Sequence, residues 1–429
     1  MTLTSISKQM TNILNSATIR QYAKECGFMK RMRKISPFDM VLALINTLGT
    51  RQQVNLADIH KQLCTGEGKD ISYKPFHNKL RKSELISLLK KLVEMAAREW
   101  FIGSFSQALS DEYPFRAIEA HDGSSLKLHV DLKETFPGRF TKTHPAAMEL
   151  HMTMDLMSGS YNYLGISPDS ESEHHHKPFA NELEGILLLM DAGYFDINYC
   201  DEVNRCGGFV IMRANGQINP EIEAAFDNEG HELKGLKGKK LKQIKLQKDE
   251  LLDLTVRWKN KQGKHRLIAF WDRKKSCIGY LITNLERSQF SAEKIGEFYG
   301  LRWQIELFFK ELKSYCGLKT FNTRDKAIAE SLVWASMLTL LLKRFMAWSC
   351  GQLHCVFISS QKVARCADSW LSEVLTALRG GHVQSLRLTL KKWCSYLARY
   401  ASRANPKRDK ETLYVQLMNG RGVLNSVGK

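Results

Sequence analysis

The sequence predicts an α/β protein: a mixed-sheet core set between an N-terminal and a C-terminal helical region. Three observations carry this prediction. Residues 186–190, Ile-Leu-Leu-Leu-Met, form a continuous apolar run of strand length, the pattern of a strand buried on both faces. Strand-like and helix-like segments alternate from 115 to 214, and strand character returns at 266–273 and 277–284. Helical periodicity dominates residues 1 to 110 and everything after Ala327.

The N-terminal region, 1–110, begins its clear pattern at 37–45, where an apolar face recurs at helical spacing, and continues with a second helix at 55–63. Ser72 is placed as the N-cap of a short basic helix over 73–82, with Pro75 in its first turn. Another helix runs from 83 toward 100. A helix, a turn and a basic helix carrying His77, Asn78, Lys79 and Arg81 suit a major-groove reader. The turn is long for that motif, and a plain helical bundle with a solvated basic face fits the same residues.

In the core, 111–345, residues 115–121 read as a strand ending at Asp122. Residues 147–157 and 161–166 read as a hairpin around Ser158-Gly159-Ser160. A short helix at 178–184 precedes the apolar strand, which ends at Asp191-Ala192-Gly193. A helix at 194–205 and a strand at 208–213 follow. Residues 216–265 read as an inserted subdomain; 234–248 holds seven lysines and no acid, the usual mark of a solvated face. Ser291 opens one long helix through Lys313. The C-terminal region, 346–429, is helical, and 381–429 carries ten Lys or Arg against two acids.

Across 429 residues, Lys and Arg number 63 against 45 acids, a formal charge of +18. That excess favours an anionic partner, nucleic acid first. The most apolar window, 332–342, has eleven residues and runs into Lys343 and Arg344, whereas a membrane span needs about 20. The polar N-terminus lacks a signal-peptide stretch. The expectation is a cytoplasmic protein with no membrane partner. Ten scattered cysteines form no Cys-x-x-Cys pair, and Cys350, His354 and Cys355 fall short of a zinc ligand set, so reduced thiols are the expectation. Phosphate-binding, dinucleotide and serine-nucleophile motifs do not occur.

Asp122 and Asp191 each close a predicted strand, where sites assemble in open α/β sheets. On the helix over 291–313, Tyr299, Arg302, Glu306 and Lys313 fall within an arc of roughly 60° at about 100° per residue. Phe298, Leu301, Ile305, Phe308 and Leu312 fall on a neighbouring arc that would face the core, and Glu311 lies off the stripe. Such a stripe can also be an ordinary surface row of ion pairs. Phosphodiester cleavage, however, needs an activated water and a stabilised leaving oxygen, which two divalent cations supply. Hard cations take carboxylate oxygens, and Arg, Lys and Tyr grip phosphates.

The stripe reads Tyr299-Gly-Leu-Arg302-Trp-Gln-Ile-Glu306-Leu-Phe-Phe-Lys-Glu-Leu-Lys313. It resembles, in residue type and spacing, the Tyr-x2-Arg-x3-Glu-x6-Lys signature of the hairpin-forming branch of DDE transposases of bacterial insertion sequences. His121-Asp122-Gly123-Ser124 resembles the family's first aspartate motif and Asp191-Ala192-Gly193-Tyr194-Phe195 its second. The resemblance covers 115–345 well and the flanks loosely. It implies an RNase H-like core with a β-rich insertion between Asp191 and Glu306. It implies that Asp122, Asp191 and Glu306 are catalytic and bind two Mg2+ ions, for which Mn2+ substitutes, and that Tyr299, Arg302 and Lys313 hold DNA phosphates. It further implies cut-and-paste transposition through a hairpin, acting on double-stranded DNA at the inverted-repeat element ends and the target, by a homodimer in the DNA complex.

Hairpin formation in related proteins stacks a flipped base on a Trp of the insertion. Trp271 and Trp258 are candidates, although neither lies in a motif and a core position is the favoured reading for each. Arg213 and Asn215, ending a predicted strand, are candidate DNA contacts. His174-His175-His176 reads as a loop near the site, not a ligand set. Two other readings fit the residues: a DNA-binding protein without catalysis, and an RNase H-like nuclease without strand transfer.

Overall fold

The computed structural model describes residues 1–31, 33–51, 54–68, 70–100, 113–248, 250–259, 263–272, 275–318 and 322–402. Six helices open the chain: α1 (Leu3–Ile13), α2 (Ser16–Glu25), α3 (Pro37–Thr50), α4 (Leu56–Glu67), α5 (Tyr73–Leu80) and α6 (Ser83–Glu99). Side chains cap four of them: Thr2, Asn15, Ser36 and Asn55 each accept from a backbone N–H of the first turn. Ser72 is the N-cap residue of α5, without a side-chain hydrogen bond. Phe76 and Leu80 of α5 are buried. The basic charges expected at the C-terminal end in residues 403–429 lie outside the described residues.

Nine strands follow in chain order: β1 (Ala117–Lys127), β2 (Ala147–Asp155), β3 (Tyr161–Pro168), β4 (Ile186–Met190), β5 (Phe209–Ala214), β6 (Glu221–Phe226), β7 (Leu251–Arg257), β8 (His265–Asp272) and β9 (Cys277–Thr283). They form one sheet in the order β3-β2-β1-β4-β5-β9-β8-β7-β6. The β1/β4 and β4/β5 pairs are parallel, and β2 runs antiparallel between β1 and β3. This half of the sheet is mixed, as the sequence predicted for the core. All five β4 residues are buried, as the apolar run predicted. The strands between Asp191 and Glu306 extend the same sheet rather than forming a separate one. Above β6, the lysines of 234–248 point outward, while Leu241, Ile244 and Leu246 enter a core with β6–β9.

Helix α7 (Ile197–Arg205) connects β4 to β5, and it starts later than expected because Asp196 caps it, accepting from the Asn198 N–H. After β9 come α8 (Ala292–Gly300), α9 (Trp303–Tyr315), α10 (Lys326–His354), α11 (Ser360–Arg365), α12 (Ala367–Gly380) and α13 (Val383–Tyr400). The single helix expected over 291–313 is therefore two. At the junction the Leu301 and Arg302 N–H groups bond the carbonyls three residues back, at 3.0 Å each, and those of Gln304 and Ile305 do the same. Gly300, a weak helix former, sits where the ladder tightens.

Helix α10 is apolar nearly all round and buried along most of its length, so the window at 332–342 is the centre of a core. It packs against α3, α6 and α13, while α12 packs on α3 and α1 on α13, so the two ends of the chain share one helical body. Trp100 stacks on Phe345 at 5.2 Å and donates to the Gln9 carbonyl at 3.0 Å. Lys343, buried, donates to the carbonyls of Gly49 at 2.7 Å and Tyr315 at 2.6 Å, near the C-terminal ends of α3 and α9. Among the described residues, no helix is long and apolar enough to cross a membrane.

Candidate active site

Strand β1 does not end at Asp122; it continues to Lys127. The reason is that its two neighbours pair with different stretches. The parallel ladder with β4 stops at His121↔Met190, while the antiparallel ladder with β2 runs on to Lys127↔Ala147. Asp122 is thus the first residue past the parallel ladder, as Asp191 is on β4. Parallel neighbours in register project to the same face, with strands about 4.8 Å apart. The sequence motif located the correct level of the sheet although the strand itself is longer.

Helix α9 packs on β1 and covers that face. Phe298, Leu301, Ile305, Phe308 and Leu312 are buried in the main core, as the periodicity predicted. This turns Tyr299, Arg302 and Glu306 toward the aspartates. The Arg302 guanidinium donates through Nη1 to Asp122 Oδ2 at 2.8 Å and through Nη2 to Glu306 Oε1 at 2.6 Å. The Tyr299 hydroxyl donates to Asp191 Oδ1 at 3.1 Å. Lys313 reaches the Ser125 carbonyl on β1 at 2.8 Å. Glu311, off the stripe, is buried and accepts from Arg344 at 2.9 Å and Ser360 at 2.6 Å.

The site is poised between burial and charge. Burial raises the Asp122 carboxyl, and Asp191 and Glu306 add to this against the pull of Arg302 and the Gly123 N–H; the result is a pKa of about 7. Burial opposes the charge of Arg302, yet Tyr299, Asp191, Asp122 and Glu306 together hold it protonated above its ordinary range. Burial, followed by the Asp191 charge, pushes the Tyr299 hydroxyl upward. Burial lowers Lys313.

Among the described residues no three His, Cys, Asp or Glu side chains stand gathered as a metal-binding group. At this site the Arg302 guanidinium bridges two of the three carboxylates. The donor chemistry, three hard carboxylate oxygens reached by one guanidinium and one phenol, fits divalent cations once that bridge opens.

The other predicted residues are more dispersed. Arg213, near the end of β5, donates to Asp272 at 2.6 Å. Tyr299 and Asp191 are close enough to strengthen its charge. Trp271 is half-buried against the core of β6–β9, paired across the sheet with Ile278. Trp258 packs on Phe195 at 6.0 Å. Asn215 accepts from the Gln217 N–H at 3.0 Å. His176 stacks on the buried His151, ring centroids 3.7 Å apart.

Sequence reasoning missed two features. Trp303, next to Arg302, is 50% exposed. On the opposite face of β1, Glu149, Glu173 and Arg139 form a polar cluster behind the aspartates. The available signal was the glycine within each aspartate motif, Gly123 and Gly193, which leaves room for that cluster.

The sequence matches the family described as "Transposase DDE domain" over residues 114–342, more than half of the chain. The transposase for insertion sequence element IS231C of Bacillus thuringiensis subsp. berliner is 21% identical over 378 residues, 78% of each chain. The transposase for insertion sequence element IS1151 of Clostridium perfringens is 25% identical over 287 residues, 57% of each chain. A cryo-EM structure of a piggyBac transposase synaptic complex with hairpin DNA aligns over 95% of this chain and 88% of its own, at 11% identity and a TM-score of 0.45. With more than half of its length matched, the chain belongs to the DDE transposase family: it is an insertion-sequence transposase, an enzyme of DNA cleavage and strand transfer.

Proposed function

We propose that this transposase excises its element by a metal-dependent cut-and-paste route through a hairpin, with Asp122, Asp191 and Glu306 as its catalytic carboxylates. The observation that carries the reading is the convergence of three distant acids on two neighbouring groups: Arg302 joins Asp122 to Glu306, and Tyr299 reaches Asp191.

The three carboxylates would hold two Mg2+ ions, or Mn2+ in their place, which supply an activated nucleophile and stabilise the leaving oxygen. The remaining work falls to the chain's own groups. A DNA phosphate competes for the Arg302 guanidinium, whose planar fork suits phosphate as well as carboxylate. Its departure frees oxygens of Asp122 and Glu306. Tyr299 holds Asp191 in orientation through its hydroxyl. Lys313, now on a backbone carbonyl, is free to turn to a second phosphate. Arg213, beside Tyr299 and Asp191, is placed to follow the cleaved strand. After the first cut, the freed 3′-hydroxyl would attack a phosphate of the opposite strand, closing a hairpin and displacing that strand's 3′-oxygen as a hydroxyl; water then reopens the hairpin, and the 3′-hydroxyl it frees attacks a target phosphate in the same way. Trp271 remains the candidate for stacking a flipped base, and a homodimer on two element ends remains the expected assembly.

Purified protein with Mg2+ should nick DNA carrying the element ends, and Asp122→Ala, Asp191→Ala and Glu306→Ala should each stop nicking while binding persists. Variants that nick as the wild type does would overturn the assignment.

A further inference from the structure

The face of β1 behind Asp122 carries a cluster that lies against both aspartate motifs. A Cβ on Gly123 would fall 2.6 Å from Glu149 Oε1 and 3.0 Å from the Tyr194 hydroxyl. A Cβ on Gly193 would fall 1.8 Å from Glu173 Oε2. Each aspartate motif therefore contains a glycine against which one glutamate lies. Both glutamates accept from the same nitrogen, Arg139 Nη2, at 3.2 Å for Glu149 and 3.1 Å for Glu173. Arg139 is fixed in turn by Asp169: its backbone N–H donates to Oδ2 at 2.9 Å and its Nε to the carbonyl at 3.3 Å. Asp169 also accepts from Ser125 of β1.

This is more than a surface ion pair. Glu149 is 3% exposed and Asp169 2%, so their charges depend on partners inside the protein. The parallel ladder between β1 and β4 ends at His121↔Met190. Beyond that point Arg139 links Glu149, which lies against Gly123, to Glu173, which lies against Gly193.

We propose that Arg139, Glu149 and Glu173 form a brace that sets the relative placement of Asp122 and Asp191, with Arg139 and Glu173 as positioning residues for the metal-binding carboxylates. The proposal rests on the catalytic reading given above. An arginine suits this position because its rigid guanidinium serves three acceptors from two nitrogens, Nη2 on the two glutamates and Nε on the Asp169 carbonyl, whereas an ammonium has a single nitrogen. Groups that orient metal ligands from behind typically change metal affinity by about 10–100-fold when removed.

The test is Mn2+ titration by calorimetry of the full-length protein at a temperature where every variant is folded, alongside nicking of end-bearing DNA over a range of Mn2+. Arg139→Ala and Glu173→Gln should weaken Mn2+ binding by about 10–100-fold, with nicking recovered as Mn2+ is raised, and Arg139→Lys should not restore wild-type affinity. Asp122→Ala, the reference, should lose binding and nicking at every Mn2+ concentration. Wild-type Mn2+ affinity in Arg139→Ala and Glu173→Gln, with Asp122→Ala defective, would overturn the brace and leave the catalytic reading standing. Wild-type behaviour in Asp122→Ala would overturn both.

Discussion

Asp122 and Asp191 stand at the same level of two neighbouring parallel strands, each one residue beyond the pair His121↔Met190. Two carboxylates so placed repel each other, and burial raises Asp122 further. The fold offsets this with Arg302, which holds Asp122 and Glu306 together. The same guanidinium thereby keeps carboxylate oxygens from any other cation.

Arg302→Ala should therefore separate two properties that are usually lost together. The DNA-free variant should bind Mn2+ more tightly than the wild type, by about tenfold or more, because two charge-assisted hydrogen bonds to the carboxylates are removed. Nicking should fall because a phosphate contact is lost. Calorimetry and a nicking assay on one preparation check both, and unchanged or weaker Mn2+ binding contradicts the bridging role.

Glu119 gives a pH signature away from the site. It is buried on β1, and burial, with the Asp155 charge, raises it to about 7 against the help of its Asn162 hydrogen bond. Its folded pKa lies above the ordinary value, so its contribution to stability is full below about pH 4.5 and is lost as pH rises through about 7. Glu119→Gln keeps the shape and removes the titration. It should stabilise the protein at pH 8, by up to about 3 kcal/mol, and have little effect at pH 4.5. Urea unfolding at the two pH values measures this; an equal effect at both is the contrary result.

Lys343 joins the active-site helix to the helical body by donating to carbonyls at the C-terminal ends of two helices, at Gly49 and Tyr315. Lys343→Met should leave those buried carbonyls unpaired and cost roughly 2–5 kcal/mol of stability. A loss below about 0.5 kcal/mol in urea titrations would show that water replaces the ammonium.

DNA binding should fall steeply with salt, given the +18 charge. Between about 50 and 200 mM salt a loss of roughly a thousandfold is expected for a contact with six or more phosphates. A flat response in fluorescence anisotropy would exclude a phosphate-dominated interface.

Much of this was legible in the sequence because local pattern and tertiary role agree. The apolar run of β4 can only be a strand covered on both faces, and the α9 periodicity separates Ile305, Phe308 and Leu312 from Arg302 and Glu306. The end of β1 was misplaced because it depends on two neighbours of unequal length, which residues 115–127 do not encode. The break at Arg302 was missed because the apolar spacing continues through a tightened turn. The Arg139 brace was invisible because its members are distant in sequence and meet only through the register of β1, β2 and β4.

The proposed catalysis depends on Asp122, Asp191 and Glu306 sharing metal ions when DNA is bound. The direct measurement is the anomalous scattering of Mn2+ in crystals of the protein bound to its element end. The prediction is two peaks within coordination distance of these carboxylates, with Arg302 turned to a phosphate. Peaks elsewhere, or Arg302 still bridging Asp122 and Glu306 in the DNA complex, would contradict it.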